Sequence, residues 1–148
     1  MSKLPTLLEA EVPLSTAELN LLRKQYEQDA TSVQKKFNFA WGLIKSRKHG
    51  QQLEGTHLLG EIYNTEPSRR IECLYYLSIG YYKQGNYTEA RRFVRTLLDS
   101  QPGNRQAQEL SETIDSQIAK EGIIGIGIVG TAIAVGGAIL ASLLRKSR

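Results

Sequence analysis

The sequence predicts an all-α protein in which one further helix spans a membrane. Apolar residues recur with a helical period of about 3.6 throughout 15–121, where no convincing strand alternation occurs. The pattern in this region repeats after 35 residues, and a run of 23 uncharged residues follows it. These observations predict a six-helix bundle with two tandem helical hairpins. They divide the chain into an arm (1–14), a helical domain (15–121), a transmembrane tail anchor (122–144) and a basic tail (145–148).

The composition excludes several classes of protein. With 148 residues, 41% of them hydrophobic and 23% charged, the chain can bury a real core and is neither disordered nor collagen-like. Cys73 is the single cysteine, so neither an intramolecular disulfide nor a cysteine-based zinc site can form. His49 and His57 lack metal-ligand spacing, and no nucleophile with a base and no phosphate-binding loop is present. We therefore expect no enzyme activity, catalytic residue, metal or cofactor.

The first three helices of the bundle are predicted from caps and apolar spacing. A capping box at 15–18 opens a helix over 16–28. The second helix covers about 31–47, and its Phe, Ala, Trp and Ile residues lie on related faces. The third covers about 50–64 and ends before Pro67, since proline interrupts a helix.

The last three helices are predicted in the same way. The fourth covers about 69–83 and is rich in Leu and Tyr. Asn86 and Glu89 cap the fifth, which ends before the Pro-Gly-Asn sequence at 102–104. The sixth covers 104–119 and runs toward the uncharged segment.

The third and fifth helices repeat each other at a spacing of 35 residues. In both predicted hairpins a glycine permits the turn, a small residue allows the helices to approach closely, and a proline ends the second helix. The matched pairs are Gly50 with Gly85, Glu54 with Glu89, Gly55 with Ala90, Leu59 with Val94, Ile62 with Leu97, and Pro67 with Pro102.

The second hairpin closely resembles a tetratricopeptide repeat. Residues 81–90 read YYKQGNYTEA and are followed at the expected distance by Pro102. The hairpin departs from the usual repeat at Leu74, where Trp is common, and at Ser78, where Gly is common. The first hairpin is more degenerate, with Phe39 in the Trp position. Two such repeats need capping helices, which the first and sixth helices would supply.

With the tail anchor added, the whole chain looks like the mitochondrial fission protein 1 family. The resemblance implies an adaptor on the mitochondrial outer membrane, often on peroxisomes too, with its N-terminal domain in the cytosol. It also implies recruitment of a dynamin-related GTPase, in some lineages through WD-repeat adaptor proteins. One alternative is a tail-anchored receptor for a chaperone or import factor, although the Lys and Asn clamp of chaperone-binding relatives is missing. A membrane-remodelling protein that acts through oligomers of its own anchor is the second alternative.

The predicted partner-binding groove lies on the first helix of each hairpin. Its residues are mostly apolar or aromatic, which suits an amphipathic helix or an extended segment as the partner. The alternative is that they only pack between the hairpins. The predicted set is Phe37, Ala40, Leu43, Ile44, Arg47, Glu72, Tyr75, Ser78, Ile79 and Tyr82.

The arm contains more apolar residues than a simple disordered tail usually has. Pro5 and Pro13 prevent a continuous helix there. We expect the arm to lie in the groove, where it would regulate access or form part of the partner site. The candidate contact residues of the arm are Leu4, Leu7, Leu8 and Val12. The alternative is that the arm is a disordered tail.

The charge distribution supports the anchor and argues against nucleic acid as a partner. As a helix the uncharged run would be roughly 35 Å long, enough to cross a hydrocarbon core of about 30 Å. Residues 1–121 have a net charge of +1, and the rest of the +4 comes from the predicted targeting residues Arg145, Lys146 and Arg148. The basic excess therefore belongs to a membrane-targeting tail that contacts lipid. Small residues four apart in the anchor leave a homo-oligomer open.

Overall fold

The computed structural model describes residues 4–128, and the regular structure there is entirely helical, as the sequence predicts. The six predicted helices are present, and a seventh, one-turn helix lies within the arm. In chain order the helices are α1 (Leu7–Ala10), α2 (Thr16–Gln28), α3 (Val33–Ile44), α4 (His49–Thr65), α5 (Arg70–Lys83), α6 (Tyr87–Ser100) and α7 (Arg105–Ile128), with a 3₁₀ turn at Pro67–Arg69 between α4 and α5.

The predicted capping residues begin their helices as expected. Before α2, the Ser15 amide donates to the Glu18 carboxylate at 2.9 Å, and the Glu18 amide donates to Ser15 Oγ at 3.1 Å. Before α6, the Glu89 amide donates to Asn86 Oδ1 at 3.3 Å. These bonds satisfy amides that have no partner inside the helix, which is why short local motifs could predict both starts.

The second predicted helix is shorter than expected, since α3 ends at Ile44 and not near Arg47. The chain then turns around Ser46, whose Oγ accepts from the Lys48 amide at 3.0 Å. The Ser46 carbonyl accepts from Gln52 Nε2 at 2.7 Å. The hydroxyl and the carbonyl of Ser46 therefore find hydrogen-bond partners in the turn and in α4, so α3 need not continue to satisfy them.

The prediction that Gly50 is a turn glycine equivalent to Gly85 is wrong. Gly50 lies in the first turn of α4. Among the described residues only Gly85 adopts a left-handed backbone, with a φ of 80°. The two hairpins therefore close differently: Gly85 supplies the backbone freedom at one turn, and the polar groups around Ser46 supply the bonds at the other.

The small residues predicted at the helix crossings do lie at close approaches. A Cβ on Gly55 would lie 2.7 Å from the Ala40 carbonyl oxygen and 2.8 Å from Ile44 Cγ1, so only glycine fits between α3 and α4. Its counterpart Ala90 is fully buried. On α5, a Cβ on Gly80 would overlap a side-chain methyl of α4. The largest fully buried apolar side chains of the core are Phe39, Leu43, Ile44, Leu59, Ile62, Ile79, Val94, Leu97 and Ile114.

The last helix extends past the predicted domain boundary. α7 is continuous from Arg105 to Ile128, so no helix end separates 121 from 122. Within the described part of the chain, no helix is long and apolar enough to cross a membrane. Most of the predicted anchor, and the targeting residues Arg145, Lys146 and Arg148, lie outside the described residues. The anchor and the domain boundaries therefore stay predictions.

Candidate partner-binding site

Most of the predicted groove residues are buried in the structure. They lie on α3 and α5, except Arg47, which lies in the turn after α3. Ala40 and Ile44 pack toward α4 at the Gly55 crossing. A partner could reach these side chains only if the helices moved apart, so their contact with a partner stays a prediction. The buried members of the set are Phe37, Ala40, Leu43, Ile44, Tyr75, Ser78 and Ile79.

The other three members of the set are accessible. Arg47 is exposed, and Glu72 and Tyr82 are half-buried. The Arg69 guanidinium donates to the Glu72 carboxylate at 3.3 Å, and the Tyr82 ring lies 5.3 Å from the ring of Tyr87. Both side chains are therefore already engaged within the domain.

Two half-buried aromatic residues between α3 and α5 are missing from the predicted groove. The Tyr76 ring meets Phe37 at 4.7 Å and Trp41 at 4.9 Å, both edge-to-face, between ring centroids. Trp41 and Tyr76 each follow a predicted groove residue, Ala40 and Tyr75, by one position. The two rings are therefore neighbours of the predicted set and are themselves candidates for a contact surface. The residue types Trp and Tyr could have indicated these two positions from the sequence, because large amphipathic rings are typical of contact surfaces.

The arm lies against the domain and does not extend freely. Its backbone carbonyls accept hydrogen bonds from side chains of α5 and α7, so the arm crosses both helices. These bonds are Tyr75 hydroxyl to Pro5 O at 2.7 Å, Lys83 Nζ to Ala10 O at 2.7 Å, and Gln106 Nε2 to Leu4 O at 2.8 Å.

The one-turn helix α1 gives the arm an inner and an outer face. It starts where Thr6 Oγ1 accepts from the Glu9 amide at 3.1 Å. Leu4 and Leu7 are half-buried and pack on the core. Leu8 and Val12 are 77% and 62% exposed. The four arm residues named from the sequence therefore divide into two that dock the arm and two that face outward.

A half-open pocket of about 250 Å³ remains between the arm, α5 and α7. Leu7 and Leu8 line it on the arm side, and Tyr75 lines it from α5. Leu110 and Glu109 line it from α7. Thr6, Gln106 and Thr113 complete a lining that is both polar and apolar, so the docked arm leaves room for one side chain from outside.

Lys83 connects the arm to the turn after α3. Its Nζ donates to Ala10 O at 2.7 Å and to Ser46 O at 3.3 Å. Burial lowers the pKa of Lys83, the Glu11 carboxylate opposes this effect, and the nearby positive charges of Arg47 and Lys45 add to it. One half-buried ammonium group thus joins two carbonyl oxygens from different segments, of which Ser46 O also accepts from Gln52.

Three ionisable groups on α5 keep their protons to high pH. Burial raises the pKa of Cys73, Tyr75 and Tyr76 to about 12 in each case. A thiol that stays protonated is a poor nucleophile. Cys73 is fully buried and therefore serves as a small apolar core residue.

We expect the free energy of unfolding to fall as the pH rises from 9 toward 12. In the unfolded chain Cys73 loses its proton near the ordinary thiol pKa of 9.0, and Tyr75 and Tyr76 near the ordinary phenol pKa of 10.0, whereas the folded chain holds these protons to about 12. Between these pKa values the unfolded state binds fewer protons than the folded state. The contribution of these groups to the free energy of unfolding is therefore complete below pH 9 and is lost as the pH rises to about 12. Lys83 acts in the opposite direction below pH 10.5. Because its pKa is lowered in the folded state, the folded state releases this proton before the unfolded state does.

Chemical denaturation across this pH range checks the expectation. Tyr76→Phe keeps the ring and removes one titrating group, so it should flatten the fall above pH 10. A free energy of unfolding that stays constant up to pH 12 in the unmodified chain would contradict the assignment.

Two family models match consecutive parts of this helical region. The Fis1 N-terminal tetratricopeptide repeat matches residues 34–66, which cover α3 and α4. The Fis1 C-terminal tetratricopeptide repeat matches residues 71–123, which cover α5, α6 and most of α7. The boundary between the two models falls at the 3₁₀ turn.

Curated relatives match over nearly the whole chain. The mitochondrial fission 1 protein of Mycosarcoma maydis is 48% identical over 149 residues, which cover 98% of each chain. The protein of the same name from Yarrowia lipolytica is 50% identical over 147 residues, which cover 98% of this chain and 96% of the relative.

Solved structures share the fold. The crystal structure of yeast Fis1 in complex with an Mdv1 fragment has a TM-score of 0.80 and 40% identity, covering 82% of this chain and 98% of that one. Yeast Fis1 complexed with a fragment of yeast Caf4 has a TM-score of 0.62 and 43% identity, covering 64% of this chain and 99% of that one. Both yeast chains were thus captured with a segment of another protein.

Proposed function

This chain belongs to the mitochondrial fission 1 protein family, and on that premise we propose that it is an adaptor on the mitochondrial outer membrane. The tetratricopeptide-repeat family to which it belongs is a protein-binding, non-catalytic one. Its domain would hold segments of WD-repeat adaptor proteins, counterparts of the Mdv1 and Caf4 fragments bound by yeast Fis1. Those adaptors would in turn recruit a dynamin-related GTPase. The same proposal includes an adaptor role in the fission of peroxisomes.

The observation that supports this function best is the two-faced arm. Its inner face is bonded to α5 and α7, while Leu8 is exposed at the edge of the half-open pocket and Val12 is exposed further along the arm. Large apolar residues held in a fixed position at a pocket edge are suited to contact the apolar face of a partner. The arm therefore forms part of the partner site in our proposal.

The alternative role of the arm, blocking the groove, requires only the inner face. Leu4, Leu7 and Ala10 would be sufficient for that, because they are arm residues that pack on the domain. Blocking gives no reason for exposed apolar residues at positions 8 and 12, which cost solubility and gain nothing in the unbound protein. The exposure of these two side chains therefore favours direct contact.

The tail anchor completes the proposed mechanism. Residues 122–144 would hold the domain on the cytosolic side of the outer membrane, with only the basic tail across it. Many copies on one surface raise the effective concentration of binding sites, so an assembling partner can be held firmly by contacts that are weak one at a time.

We expect the double substitution Leu8→Ser and Val12→Ser to weaken binding of the adaptor segment about tenfold or more. Each substitution removes an apolar side chain worth about 1 kcal/mol or more when a partner buries it. Calorimetric titration of the full chain in detergent with the adaptor fragment measures the change. The location of a fluorescent fusion should stay the same, because the anchor is untouched.

Leu21→Ser is the matched control for this experiment. Leu21 is also an apolar surface residue, 56% exposed, but it lies on α2 outside the arm. The control should bind the fragment normally. An affinity that the double substitution leaves unchanged, or that Leu21→Ser lowers equally, would refute the proposed site.

A further inference from the structure

One end of the helical domain is fixed close to the start of the uncharged run. The Arg91 guanidinium, about one turn into α6, lies 3.5 Å from the Asp115 carboxylate of α7. Because the two helices are joined by a short loop and run in opposite directions, Tyr87 at the start of α6 lies about one further turn along α7. The turn between α5 and α6 is therefore level with 117–121, immediately before the run begins at Gly122. Because α7 stays helical through Ile128, no turn or loop separates this end of the domain from the first residues of the run.

The turn between α3 and α4 lies at the same end. Lys83 Nζ, in the last residue of α5, donates to Ser46 O at 3.3 Å. Gln84 Nε2 donates to Gln52 O at 3.3 Å. Residues 45–48 are therefore level with the end of α5, and through it with 117–121 of α7.

This turn is rich in positive charge. Arg47 and Lys48 are exposed, and Lys45 is half-buried with its ammonium 5.9 Å from the Trp41 ring centroid. The ion pairs formed by the described side chains include none of these three residues. Two carboxylates lie in the neighbourhood, Glu18 near Lys45 and Glu11 near Lys83, but neither forms an ion pair with the turn. Arg47 and Lys48, which are exposed, can therefore meet an external anion.

We propose that the turn at 45–48 contacts the anionic lipid headgroups of the same membrane that holds the chain's own tail. The inference rests on the tail anchor of the proposed function. The five residue steps from 117 to 122 advance about 8 Å along α7. This equals about one Debye length at physiological ionic strength, and the headgroup layer reaches several Å outward from the hydrocarbon. The cations therefore lie within reach of the headgroups.

The contact would set the orientation of the domain on the membrane. A single helix leaves rotation and tilt open, whereas a second contact at the turn would select one orientation. The pocket between the arm and α7 lies toward the other end of the helices, because Gln106 and Leu110 of its lining are near the start of α7. The pocket, with Leu8 at its edge, would then stand clear of the bilayer, and Val12 would lie nearer to the bilayer.

The test uses the full chain inserted in vesicles, with a donor dye on an engineered cysteine at exposed His49. Cys73 is buried, and its thiol pKa is about 12, so it stays unlabelled. An acceptor on the lipid headgroups reports docking by energy transfer. The vesicles are phosphatidylcholine alone or phosphatidylcholine and phosphatidylserine in a four-to-one ratio. Each basic residue near an anionic surface changes the ratio of docked to undocked domain about fivefold.

We expect transfer to be higher on the anionic vesicles and to fall with added salt. Arg47→Gln with Lys48→Gln should lower the docked-to-undocked ratio about 25-fold. The matched control, Lys24→Gln with Arg105→Gln, removes the same charge from exposed sites away from this end and should leave the ratio unchanged.

The outcomes separate this inference from the anchor. A chain that does not float with vesicles overturns the anchor and the inference together. A chain that floats but transfers equally on neutral and anionic vesicles, or equally in both double variants, overturns the inference alone. If Arg47→Gln with Lys48→Gln changes only adaptor binding, the turn belongs to an acidic protein segment and the lipid assignment is wrong.

Discussion

Replacing Gly55 with alanine is expected to lower the free energy of unfolding by about 1–3 kcal/mol. The new Cβ would lie 2.7 Å from the Ala40 carbonyl oxygen and 3.1 Å from the Ile44 amide nitrogen. Both are backbone atoms, so α3 and α4 must move apart before the methyl group fits. The same shift would disturb Gly80, because its Cβ position lies 3.3 Å from Ile44 Cδ1.

Gly60→Ala is the matched control, and it should act in the opposite direction. Gly60 lies on the same helix, and nothing lies within 4 Å of its Cβ position. Alanine there should therefore stabilise α4 by about 0.5–1 kcal/mol. Denaturant titration of both variants in detergent, followed by circular dichroism, measures the two changes. If both variants lose stability equally, close approach at Gly55 is not the reason for its glycine.

Replacing Lys83 with methionine is expected to release the arm from the domain. The substitution keeps the length of the side chain but leaves Ala10 O and Ser46 O without their charged donor. A hydrogen bond to a charged group contributes about 1.5–3 kcal/mol, and removal of the buried ammonium offsets part of the loss. Amide hydrogen exchange in 4–12 should therefore accelerate about tenfold or more, while the amides of α4 and α6 keep their protection.

The same variant links the arm to partner binding. If the docked arm presents Leu8 and Val12, freeing the arm should weaken binding of the adaptor segment by a similar factor. The free arm must first be ordered on the domain, and the free energy of this ordering opposes binding. Lys24→Met is the matched control, because Lys24 is exposed and makes no hydrogen bond or ion pair among those of the described residues. Faster exchange in the arm together with tighter binding would reverse its role, making it a cover that partners must displace.

Local chemistry explains which parts of the fold the sequence could predict. Ser15, Asn86 and Pro102 act on backbone groups a few residues away, so their effects follow from short motifs. The 35-residue period predicted the packing at Gly55 correctly, but it transferred the turn role of Gly85 to Gly50, where a different turn forms. A repeat conserves the helix crossing more strictly than the loop, because a loop has several ways to satisfy its polar groups.

The candidate site was less predictable because it depends on distant contacts. Tyr75 and Gln106 bond to the arm across 70 and 102 residues of sequence. The hydrophobicity of the arm predicted that it would meet the domain, but could not assign Leu7 to the inner face and Leu8 to the outer one. On α3, the sequence pattern cannot distinguish an apolar side chain that packs inward, such as Ala40, from one that lines a groove. Only neighbouring helices decide which side is accessible.

The long sequence separation of the arm contacts has a consequence for synthesis of the protein. The ribosome makes the arm first, yet Gln106 emerges only after more than two thirds of the chain. Each helical hairpin can close from local contacts while translation continues, because such contacts form quickly. The arm can therefore meet Tyr75 and Lys83 once α5 has formed, but the bond from Gln106 to Leu4 must wait for α7. The segment that is translated earliest thus completes its native contacts only late in synthesis.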